Sequence, residues 1–432
     1  MHFKLNKYFS KTKPHLTVKS YDNFNKPITP EKKVKHKIKI LRILNRFNVG
    51  GPVYNAVYLT KYINSNKFET LLIGGECESH EQSASYILNN EGIKFEKIRF
   101  MRRAINPFFD LIALFKIITI IYKYKPDIIH THAAKAGLLG RFAYLFYPKK
   151  IIIIHTYHGN VFDGYFSTFK TKIILIIERL LAKISTKIIS ISNIQKQDLV
   201  SLYKICDKDK VEVISLGFDL HKFTHNVDKK RLECRKEFNL DPEIILITII
   251  GRVVPIKNHK LFIDVINYCK NNTTIKIKAL IVGDGDSINN VIDYTKEKLL
   301  NYSYKDSEIQ SDVLFTSWRS DIDRILAASD ILCLTSINEG TPVSIIESMA
   351  SNTASICTNV GGVSDIIENG VDGIVSDSEY IKYSENLLNL INNKDIREKM
   401  ALNGQKKSLK KYNFNILVKN TELLYLKLIN EK

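Results

Sequence analysis

Two glutamates separated by seven residues flank the expected start of a helix. Glu339 precedes this helix and Glu347 lies within it. Thr341 is expected to cap the helix and Pro342 to occupy its first position, which leaves the N–H groups of the first turn free to bind an anion. The apolar run at 330–335 is typical of a buried parallel strand, and open α/β sheets bind ligands beyond the carboxyl ends of their strands. Glu339 is therefore expected to face a substrate.

Two cations follow a second expected strand, at 244–250. Arg252 and Lys257 lie on the loop that joins this strand to the next helix. Cations on such a loop can stabilise negative charge on a ligand through charge-assisted hydrogen bonds. An anionic ligand is one interpretation of this pair, and two surface cations without a ligand are the other.

Four histidines lie at the ends of two further strands. His130 and His132 end one expected strand, and His155 and His158 end the next. Imidazoles at such spacing can ligate zinc, but no carboxylate or cysteine lies beside them in the sequence. Core histidines are the alternative interpretation for His130 and His155.

A pair of glycines follows the first expected strand, at 37–44. Gly50 and Gly51 open a helix that is expected to run to about residue 63. Glycines permit a ligand to approach the backbone closely. The segment lacks the third glycine and the later acidic residue of a dinucleotide fingerprint, and a tight turn without a ligand is the alternative.

Two Asp-x-Asp segments are candidates for a divalent cation site. Asp284-Gly285-Asp286 lies in an expected turn, and Asp321-Ile322-Asp323 lies at an expected helix start. Turn and capping roles fit these contexts better. The sequence therefore predicts no metal site.

Strands and helices alternate along most of the chain, which indicates an α/β protein with doubly wound sheets. A charged segment interrupts the alternation before it restarts, and 432 residues suffice for two domains. The expected boundaries are a basic, mostly disordered arm at 1–36, a first domain at 37–215, a linker at 216–240, a second domain at 241–400 and closing helices at 401–432.

Composition narrows the partners and the compartment. The formal net charge is +19, and the arm at 1–36 has nine lysines against two acidic residues, which favours anionic partners without choosing between nucleic acid, acidic lipid and phosphorylated substrates. Six cysteines without paired spacing fit a reducing compartment. No apolar run reaches the roughly 18 residues of a membrane span, and the N-terminus has no signal-peptide core. A cytoplasmic location is expected.

Taken together, these segments resemble the retaining nucleotide-sugar glycosyltransferases of family 4. The likeness rests on the two glutamates and the Gly-Thr-Pro between them, on the Gly361-Gly362 turn, on the Gly-Arg and Lys pair and on the His158-Gly159 element. It extends from about Lys37 to the C-terminus. The resemblance implies the GT-B architecture, in which two Rossmann-like domains face a cleft and a C-terminal helix crosses back to the first domain.

The resemblance also implies a role for each matching residue. Arg252 and Lys257 are expected to hold the donor diphosphate, and His158 to line the sugar site. The residues expected to be catalytic are Glu339, His158, Arg252 and Lys257. The residues expected to bind the donor are Gly50, Gly51, Gly340, Thr341, Pro342 and Glu347, with Glu347 at the ribose. Neither a metal nor a cofactor is expected.

The implied reaction transfers a sugar, with retention of configuration, from a nucleoside diphosphate sugar to a hydroxyl acceptor. A UDP-sugar donor and a lipid-linked or saccharide acceptor are expected, because the Ala-Lys-Ala-Gly and His-Thr-Tyr-His-Gly segments resemble those of bacterial enzymes that build surface polysaccharides. Two rivals remain open: a GT-B epimerase that needs no acceptor, and a basic protein whose binding to nucleic acid weakens with salt. The resemblance favours the transferase, and nucleic acid is not expected as a partner.

Basic and aromatic residues side by side indicate that the first domain docks on an anionic membrane surface, at the inner face of the cell membrane. Arg102, Arg103, Phe108 and Phe109 form one such segment, and an apolar helix with several lysines at 166–187 forms the other. Each basic residue near anionic lipid contributes about 1 kcal/mol, so a few contacts together with the basic arm give reversible attachment. Core helices are the alternative for both segments.

Overall fold

The computed structural model describes residues 36–48, 50–77, 83–102, 104, 106–159, 168–304 and 311–432. The expected basic arm, apart from His36, lies outside the described residues. The chain forms two compact units. Among the described residues, the N-terminal unit comprises 36–218 together with Tyr412–Lys432, and the C-terminal unit comprises Asp219–Lys411.

The N-terminal unit alternates strands and helices. Its elements in chain order are β1 Ile38–Arg46, α1 Gly51–Lys61, β2 Phe68–Gly75, α2 Ser85–Asn90, β3 Phe95–Ile98, α3 Pro107–Tyr124, β4 Ile128–His132, α4 Ala134–Tyr144, β5 Ile152–Thr156, α5 Thr168–Ile184, β6 Lys187–Ser190, α6 Asn193–Gln197 and β7 Val211–Val213. Within the described ranges the strands form a seven-stranded parallel sheet in the order β3-β2-β1-β4-β5-β6-β7. The central strands are buried on both faces, which explains isoleucine runs such as 151–154.

The C-terminal unit repeats this plan. Its elements are α7 His221–Thr224, α8 Val227–Glu237, β8 Ile245–Ile250, α9 His259–Asn271, β9 Ile277–Val282, α10 Ile288–Glu297, β10 Tyr302–Tyr304, β11 Val313–Phe315, α11 Ile322–Ala328, β12 Ile331–Leu334, α12 Val343–Ala350, β13 Ala354–Thr358, α13 Val363–Ile366, β14 Ile374–Ser376, α14 Tyr380–Asn392 and α15 Lys394–Lys411. Its described strands form a parallel sheet in the order β10-β11-β9-β8-β12-β13-β14. The two parallel sheets confirm the predicted fold class.

The last helix, α16 (Phe414–Asn430), belongs to the N-terminal unit. Its buried face includes Leu417, Leu424 and Tyr425, which pack in one cluster with Ile40 of β1 and Ile128 of β4. Full burial of a leucine side chain contributes about 1.5–3 kcal/mol. The return of the C-terminal helix to the first domain, predicted from the sequence, is confirmed.

Near the centre of each sheet the chain order reverses. In the N-terminal unit this switch point lies between β1 and β4, and in the C-terminal unit it lies between β8 and β12. Loops that leave neighbouring strands in opposite directions open a crevice, and open α/β sheets bind ligands there. The glycine and histidine segments follow β1 and β4, whereas the Gly-Arg loop and Glu339 follow β8 and β12.

Candidate active site

The switch point of the C-terminal unit holds a lysine, a serine and a glutamate in direct contact. Lys257 ends a short 3-10 turn, Pro255–Lys257, after β8. Its Nζ forms an ion pair with Glu339 Oε1, and the same oxygen accepts a hydrogen bond from Ser336 Oγ at 2.6 Å. Thr335 Oγ1 donates to the carbonyl oxygens of Lys257 at 3.0 Å and of Asn258 at 3.1 Å. The end of β12 thus fixes the loop that follows β8.

Glu339 retains binding capacity after these contacts. Both donors, Lys257 and Ser336, use Oε1, and within the described ranges Oε2 accepts no hydrogen bond. A carboxylate offers about four lone-pair sites. Glu339 can therefore accept hydrogen bonds from a ligand hydroxyl while Lys257 and Ser336 hold its orientation.

Arg252 lies on the same loop and differs from Lys257 in its contacts. Its side chain is exposed, and among the residues that the structure describes no acid pairs with its guanidinium. A surface arginine without an acid partner costs little to the fold and presents five N–H donors in a planar fork, which matches two phosphate oxygens. The pair expected from the sequence therefore consists of one anchored and one free cation.

The backbone of the loop at Gly361 and Gly362 packs against the segment that carries Glu339. A Cβ atom on Gly361, which has a φ of 49°, would lie 1.7 Å from the carbonyl oxygen of Glu339. The next residue, Gly362, donates its N–H to the carbonyl oxygen of Gly340 at 3.0 Å. Only glycine allows this approach. A side chain on Gly340 would meet nothing within 4 Å.

The start of α12 differs from the prediction in one respect. The helix begins at Val343 with Pro342 in the N-cap position, and no side chain caps it. The prediction that Thr341 is the N-cap and Pro342 the first helical residue was wrong, because Pro342 has an extended ψ of 101°. The first N–H groups of α12 have no acceptor within a helix of this geometry. Val343 and Ser344 therefore still offer donors to an anion.

Glu347 lies within α12 and is largely enclosed by protein. Its pKa is raised to about 7, mainly by burial and to a smaller extent by the carboxylate of Asp323, against the opposing effect of Lys222. Its carboxyl group makes no side-chain hydrogen bond in the described part of the chain. An enclosed carboxylate without a donor is suited to accept hydrogen bonds from ligand hydroxyls.

The two Asp-x-Asp segments serve the fold. Asp284 accepts hydrogen bonds from Ser317 Oγ at 2.7 Å and from the N–H of Gly285 at 2.8 Å, which is the predicted turn role. Asp321 occupies the N-cap of α11, but its side chain caps no N–H. It pairs instead with Arg319 at 2.7 Å and with Arg324 at 3.0 Å. The capping role predicted for Asp321 was therefore wrong.

In the N-terminal unit, Gly50 is the N-cap of α1 and Gly51 its first residue. Gly50 has an extended φ of 170°, and a Cβ atom on Gly51 would meet nothing within 4 Å. Neither backbone strain nor a protein contact demands glycine here. The open space in front of Gly51 is available to a ligand.

The histidines of β4 and β5 form a buried network around Arg42 of β1. Arg42 Nη1 lies 3.1 Å from His130 Nδ1 and 3.3 Å from His132 Nε2. His132 Nδ1 lies 2.9 Å from His158 Nε2. Burial is the main cause that lowers the pKa of His158 to about 3, and it also holds the pKa values of His130 and His132 well below 6.5. All three imidazoles are therefore neutral at pH 7.

The same geometry distinguishes the roles of the four histidines. His130 and His155 are fully buried and bond to Thr156 and Thr131, in agreement with core roles. His132 and His158 face each other nitrogen to nitrogen at hydrogen-bonding distance, which leaves no room for an ion between them. Among the described residues no group of three or more His, Cys, Asp and Glu is arranged to hold a metal.

Three residues of these two sites were missed by sequence reasoning. Arg42 was treated only as part of an expected strand, and Ser336 carried no sequence signal. Tyr425 lies nearly 300 residues from its partner His130, and Tyr425 Oη is 2.5 Å from His130 Nδ1. The register between β1 and β4 would have indicated Arg42 as a neighbour of the histidines, because Arg42 lies directly opposite His130.

Two family models match the chain. Glycosyltransferase Family 4 matches residues 49–222, and Glycosyl transferases group 1 matches residues 230–407. The UDP-Gal:alpha-D-GlcNAc-diphosphoundecaprenol alpha-1,3-galactosyltransferase of Escherichia coli is 30% identical over 75% of this chain and 81% of its own length. The N,N'-diacetylbacillosaminyl-diphospho-undecaprenol alpha-1,3-N-acetylgalactosaminyltransferase of Campylobacter jejuni is 25% identical over 88% and 97%, respectively.

Solved structures agree with the fold. A glycosyltransferase from Rickettsia africae superposes with a TM-score of 0.73 at 21% identity and covers 92% of this chain and 100% of its own. HepE from Anabaena in complex with UDP superposes with a TM-score of 0.75 at 18% identity, over 90% of this chain and 100% of its own. With two family models, a relative at 30% identity over most of both chains and GT-B neighbours, this chain belongs to the family-4 glycosyltransferases and is a glycosyltransferase enzyme.

Proposed function

We propose that this glycosyltransferase moves a sugar from a UDP-sugar to a hydroxyl of a lipid-linked saccharide, with retention of configuration and without a metal ion, in bacterial surface polysaccharide synthesis. The relatives from E. coli and C. jejuni support the acceptor class, because both names specify a sugar on diphosphoundecaprenol. Both names also specify an alpha-1,3 linkage. UDP-galactose is itself an α-glycosyl diphosphate, so an α product corresponds to retention.

The observation that carries the proposal is the arrangement of Arg252, Lys257 and Glu339 at the C-terminal switch point. Arg252 is exposed and pairs with no acid in the described part of the chain, and Lys257 on the same loop pairs with Glu339. The two cations can stabilise the charge of a departing diphosphate, which is the role that a divalent ion has in other transferases. Oε2 of Glu339 can accept a hydrogen bond from a sugar hydroxyl.

Glu347 supplies the second acceptor, for the ribose of the donor. Its carboxyl group is enclosed and has no donor in the described part of the chain. In the retaining route that we propose, the departing diphosphate accepts the proton of the acceptor hydroxyl on the same face of the sugar. Interactions with Arg252 and Lys257 then grow as the leaving charge develops, which is the condition for lowering the barrier.

The test is a transfer assay with UDP-galactose, UDP-N-acetylglucosamine and UDP-N-acetylgalactosamine. Each donor is incubated with a synthetic N-acetylglucosaminyl-diphospho-lipid, with and without chelator, and the anomeric configuration of the product is determined by NMR. We expect an α-linked disaccharide from one donor at a rate that chelator does not change. A β-linked product would contradict retention, and a loss of activity in chelator that manganese or magnesium restores would contradict metal independence. A sugar isomer formed without acceptor would indicate an epimerase.

Access to such an acceptor requires the N-terminal unit to reach a membrane surface. Residues at every third or fourth position of α3 are apolar and exposed, with Phe115 at 61% exposure, although the opposite face of α3 is buried in the core. The exposed apolar residues of α3, α4 and α5 are Phe108, Leu111, Ile112, Phe115, Tyr122, Leu138, Phe142, Phe169, Ile173, Ile176 and Leu180. A patch of this size on a soluble unit marks an interaction surface.

The charges around this apolar face favour an anionic bilayer as its partner. Exposed cations on or beside the same helices are Lys116, Lys123, Lys149, Lys150, Lys170, Lys172, Arg179 and Lys183. Each cation near anionic lipid contributes about 1 kcal/mol, and buried apolar side chains add to this. Of the docking segments expected from the sequence, Arg103 and residue 166 lie outside the described residues. No described helix has the length and apolarity needed to span a membrane.

Sedimentation with vesicles tests this docking surface. Wild-type protein should bind vesicles that contain anionic lipid and release from them at high salt. Phe115→Glu and Ile176→Glu should each weaken binding by about tenfold or more. The matched control is Leu423→Glu on α16, because Leu423 is 56% exposed and lies outside this face. Equal binding to neutral and anionic vesicles, or equal losses in all three variants, would contradict the proposal.

A further inference from the structure

Arg42 is a buried cation that pairs with no acid among the residues that the structure describes. Its side chain is fully buried in the middle of β1, and within the described ranges no carboxylate pairs with it. A guanidinium does not lose its proton in a protein. The groups that Arg42 Nη1 contacts are therefore neutral: the imidazoles of His130 and His132, with the hydroxyl of Tyr425 2.5 Å from His130 Nδ1.

This arrangement decides which ring nitrogens carry protons, because a guanidinium donates hydrogen bonds and accepts none. His130 Nδ1 and His132 Nε2, which face Arg42 Nη1, must both be acceptors. A neutral imidazole has a proton on its other nitrogen. His130 accordingly donates from Nε2 to Thr156 Oγ1 at 2.7 Å.

The same rule determines which ring nitrogen of His158 carries the proton. With Nε2 as acceptor, His132 has its proton on Nδ1 and donates to His158 Nε2 at 2.9 Å. His158, accepting at Nε2, must then have its proton on Nδ1. That nitrogen is buried in the protein and has no hydrogen-bond partner in the described part of the chain.

We infer that Arg42 is a positioning residue that fixes the tautomers of His132 and His158, so that His158 presents Nδ1–H as a hydrogen-bond donor to an oxygen of the bound substrate. His158 consequently acts as a neutral donor and not as a general base at Nδ1. For His158 to act as a base at Nδ1, its proton would have to be on Nε2. His132 would then have to accept at Nδ1 and direct its own Nε2–H at the Arg42 guanidinium. The side of the substrate that meets His158 is therefore an oxygen with a free lone pair, such as a sugar hydroxyl or a phosphate oxygen.

The tautomer assignment rests on the geometry of Arg42 and the histidines alone. Its consequence for catalysis rests on the proposed function, in which His158 lines the sugar site. Two substitutions of Arg42 separate the electrostatic role from a packing role. Arg42→Lys keeps a cation that only donates, whereas Arg42→Met keeps much of the volume and removes the donors.

The experiment is a long-range ¹H–¹⁵N correlation spectrum of protein labelled with ¹⁵N-histidine, which identifies the protonated nitrogen of each ring. His158→Gln assigns the key signal. In wild-type protein we expect Nδ1–H for His132 and His158 and Nε2–H for His130. Arg42→Lys should keep this pattern, and Arg42→Met should shift His132 and His158 toward Nε2–H.

Arg141→Met is the matched control for a buried arginine of the same unit. Arg141 is also fully buried, but it contacts Glu178 and the carbonyl oxygen of Gly137. This variant should leave the tautomer of His158 unchanged. Nε2–H for His158 in wild-type protein would overturn the inference even if Arg42→Met failed to fold, and so would an unchanged pattern in folded Arg42→Met.

Turnover gives the second readout. Arg42→Met should lower kcat by roughly tenfold, the size expected for one misplaced hydrogen bond, and Arg42→Lys should recover part of the loss. If the tautomers shift as expected but kcat does not fall, Arg42 fixes the tautomers as inferred, and the proposed contact of His158 with substrate is wrong. The spectrum and the assay therefore fail independently.

Discussion

The two switch points of this enzyme lie near the centres of two seven-stranded parallel sheets, but they hold positive charge in opposite ways. In the C-terminal unit, Arg252 is exposed and pairs with no acid in the described part of the chain, and the partly buried Lys257 pairs with Glu339. In the N-terminal unit, Arg42 is fully buried among neutral imidazoles. Exposed cations can bind and release an anion at little cost to the fold, whereas a buried cation orients its neighbours permanently. We therefore propose that the edge in the C-terminal unit binds charge and that the edge in the N-terminal unit directs hydrogen bonds.

The largest expected effect is a difference in stability between variants of Arg42 and Arg141, which are buried arginines of the N-terminal unit. Arg141→Met leaves Glu178 buried, with the hydroxyl of Tyr157 as its remaining partner among the described residues, and should lower the free energy of unfolding by about 3–5 kcal/mol. Arg42→Met removes a buried charge that no described acid balances, and should change the free energy of unfolding by only about 1 kcal/mol. Denaturant unfolding of both variants measures the difference. Equal losses of stability in the two variants would mean that the imidazoles of His130 and His132 stabilise the charge of Arg42 as fully as Glu178 stabilises that of Arg141.

Arg252→Ala should lower kcat/KM by roughly 100-fold with little change in stability. The lost charge-assisted hydrogen bonds to the diphosphate are worth about 2–3 kcal/mol, and the exposed side chain makes no ion pair in the described chain. Lys260→Ala is the control, since Lys260 is exposed on α9 and packs over Tyr294. Wild-type kinetics in Arg252→Ala would remove Arg252 from the donor site.

The pair of Lys257 and Glu339 should show coupling in turnover. Lys257→Met and Glu339→Gln each remove one half of the ion pair, and both are expected to reduce kcat/KM by roughly 100-fold. Because the two side chains are in contact, the double variant should lose less than the sum, by about 1–2 kcal/mol. Steady-state kinetics of the four proteins gives the coupling. Strict additivity would indicate that Lys257 and Glu339 contact the substrate independently.

The smallest expected effect is a pH dependence at Glu347. Burial raises its pKa to about 7 in the folded protein from an ordinary 4.5, so the folded state binds a proton more tightly than the unfolded state. Its contribution to stability is complete below about pH 4.5 and is lost as the pH rises through 7. Glu347→Gln should remove this slope between pH 5 and 8, and affinity for UDP should become independent of pH in the same range. An unchanged slope in Glu347→Gln would assign it to other groups.

Locally encoded features of this fold were predictable from the sequence. Helix α3 starts at a local signal, because Pro107 follows Asn106, whose side chain accepts a hydrogen bond from Phe109 N–H at 3.2 Å. The three-residue edge strands β10 and β14 have no such local signal, since only pairing with neighbouring strands defines such short segments.

The candidate site was predictable in part for the same reason. Glu339, Arg252 and Lys257 follow strand ends, and strand ends can be located from apolar runs. The contact of Ser336 with Glu339 depends on the path of a loop, and nothing local encodes it. Arg42 could not be recognised from the sequence, because a charged residue within a strand is ordinarily exposed, whereas β1 is a central strand that is buried on both faces.

The central claim, that the C-terminal switch point holds the nucleotide, is tested most directly by hydrogen–deuterium exchange with UDP as the probe. Binding should slow exchange of the backbone amides at 251–258 and 340–347, and leave peptides that cover Glu178 unchanged. In Arg252→Ala the same protection should require a higher UDP concentration, whereas Lys260→Ala should match wild type. Protection that is absent from both segments, or confined to the N-terminal unit, would contradict the account.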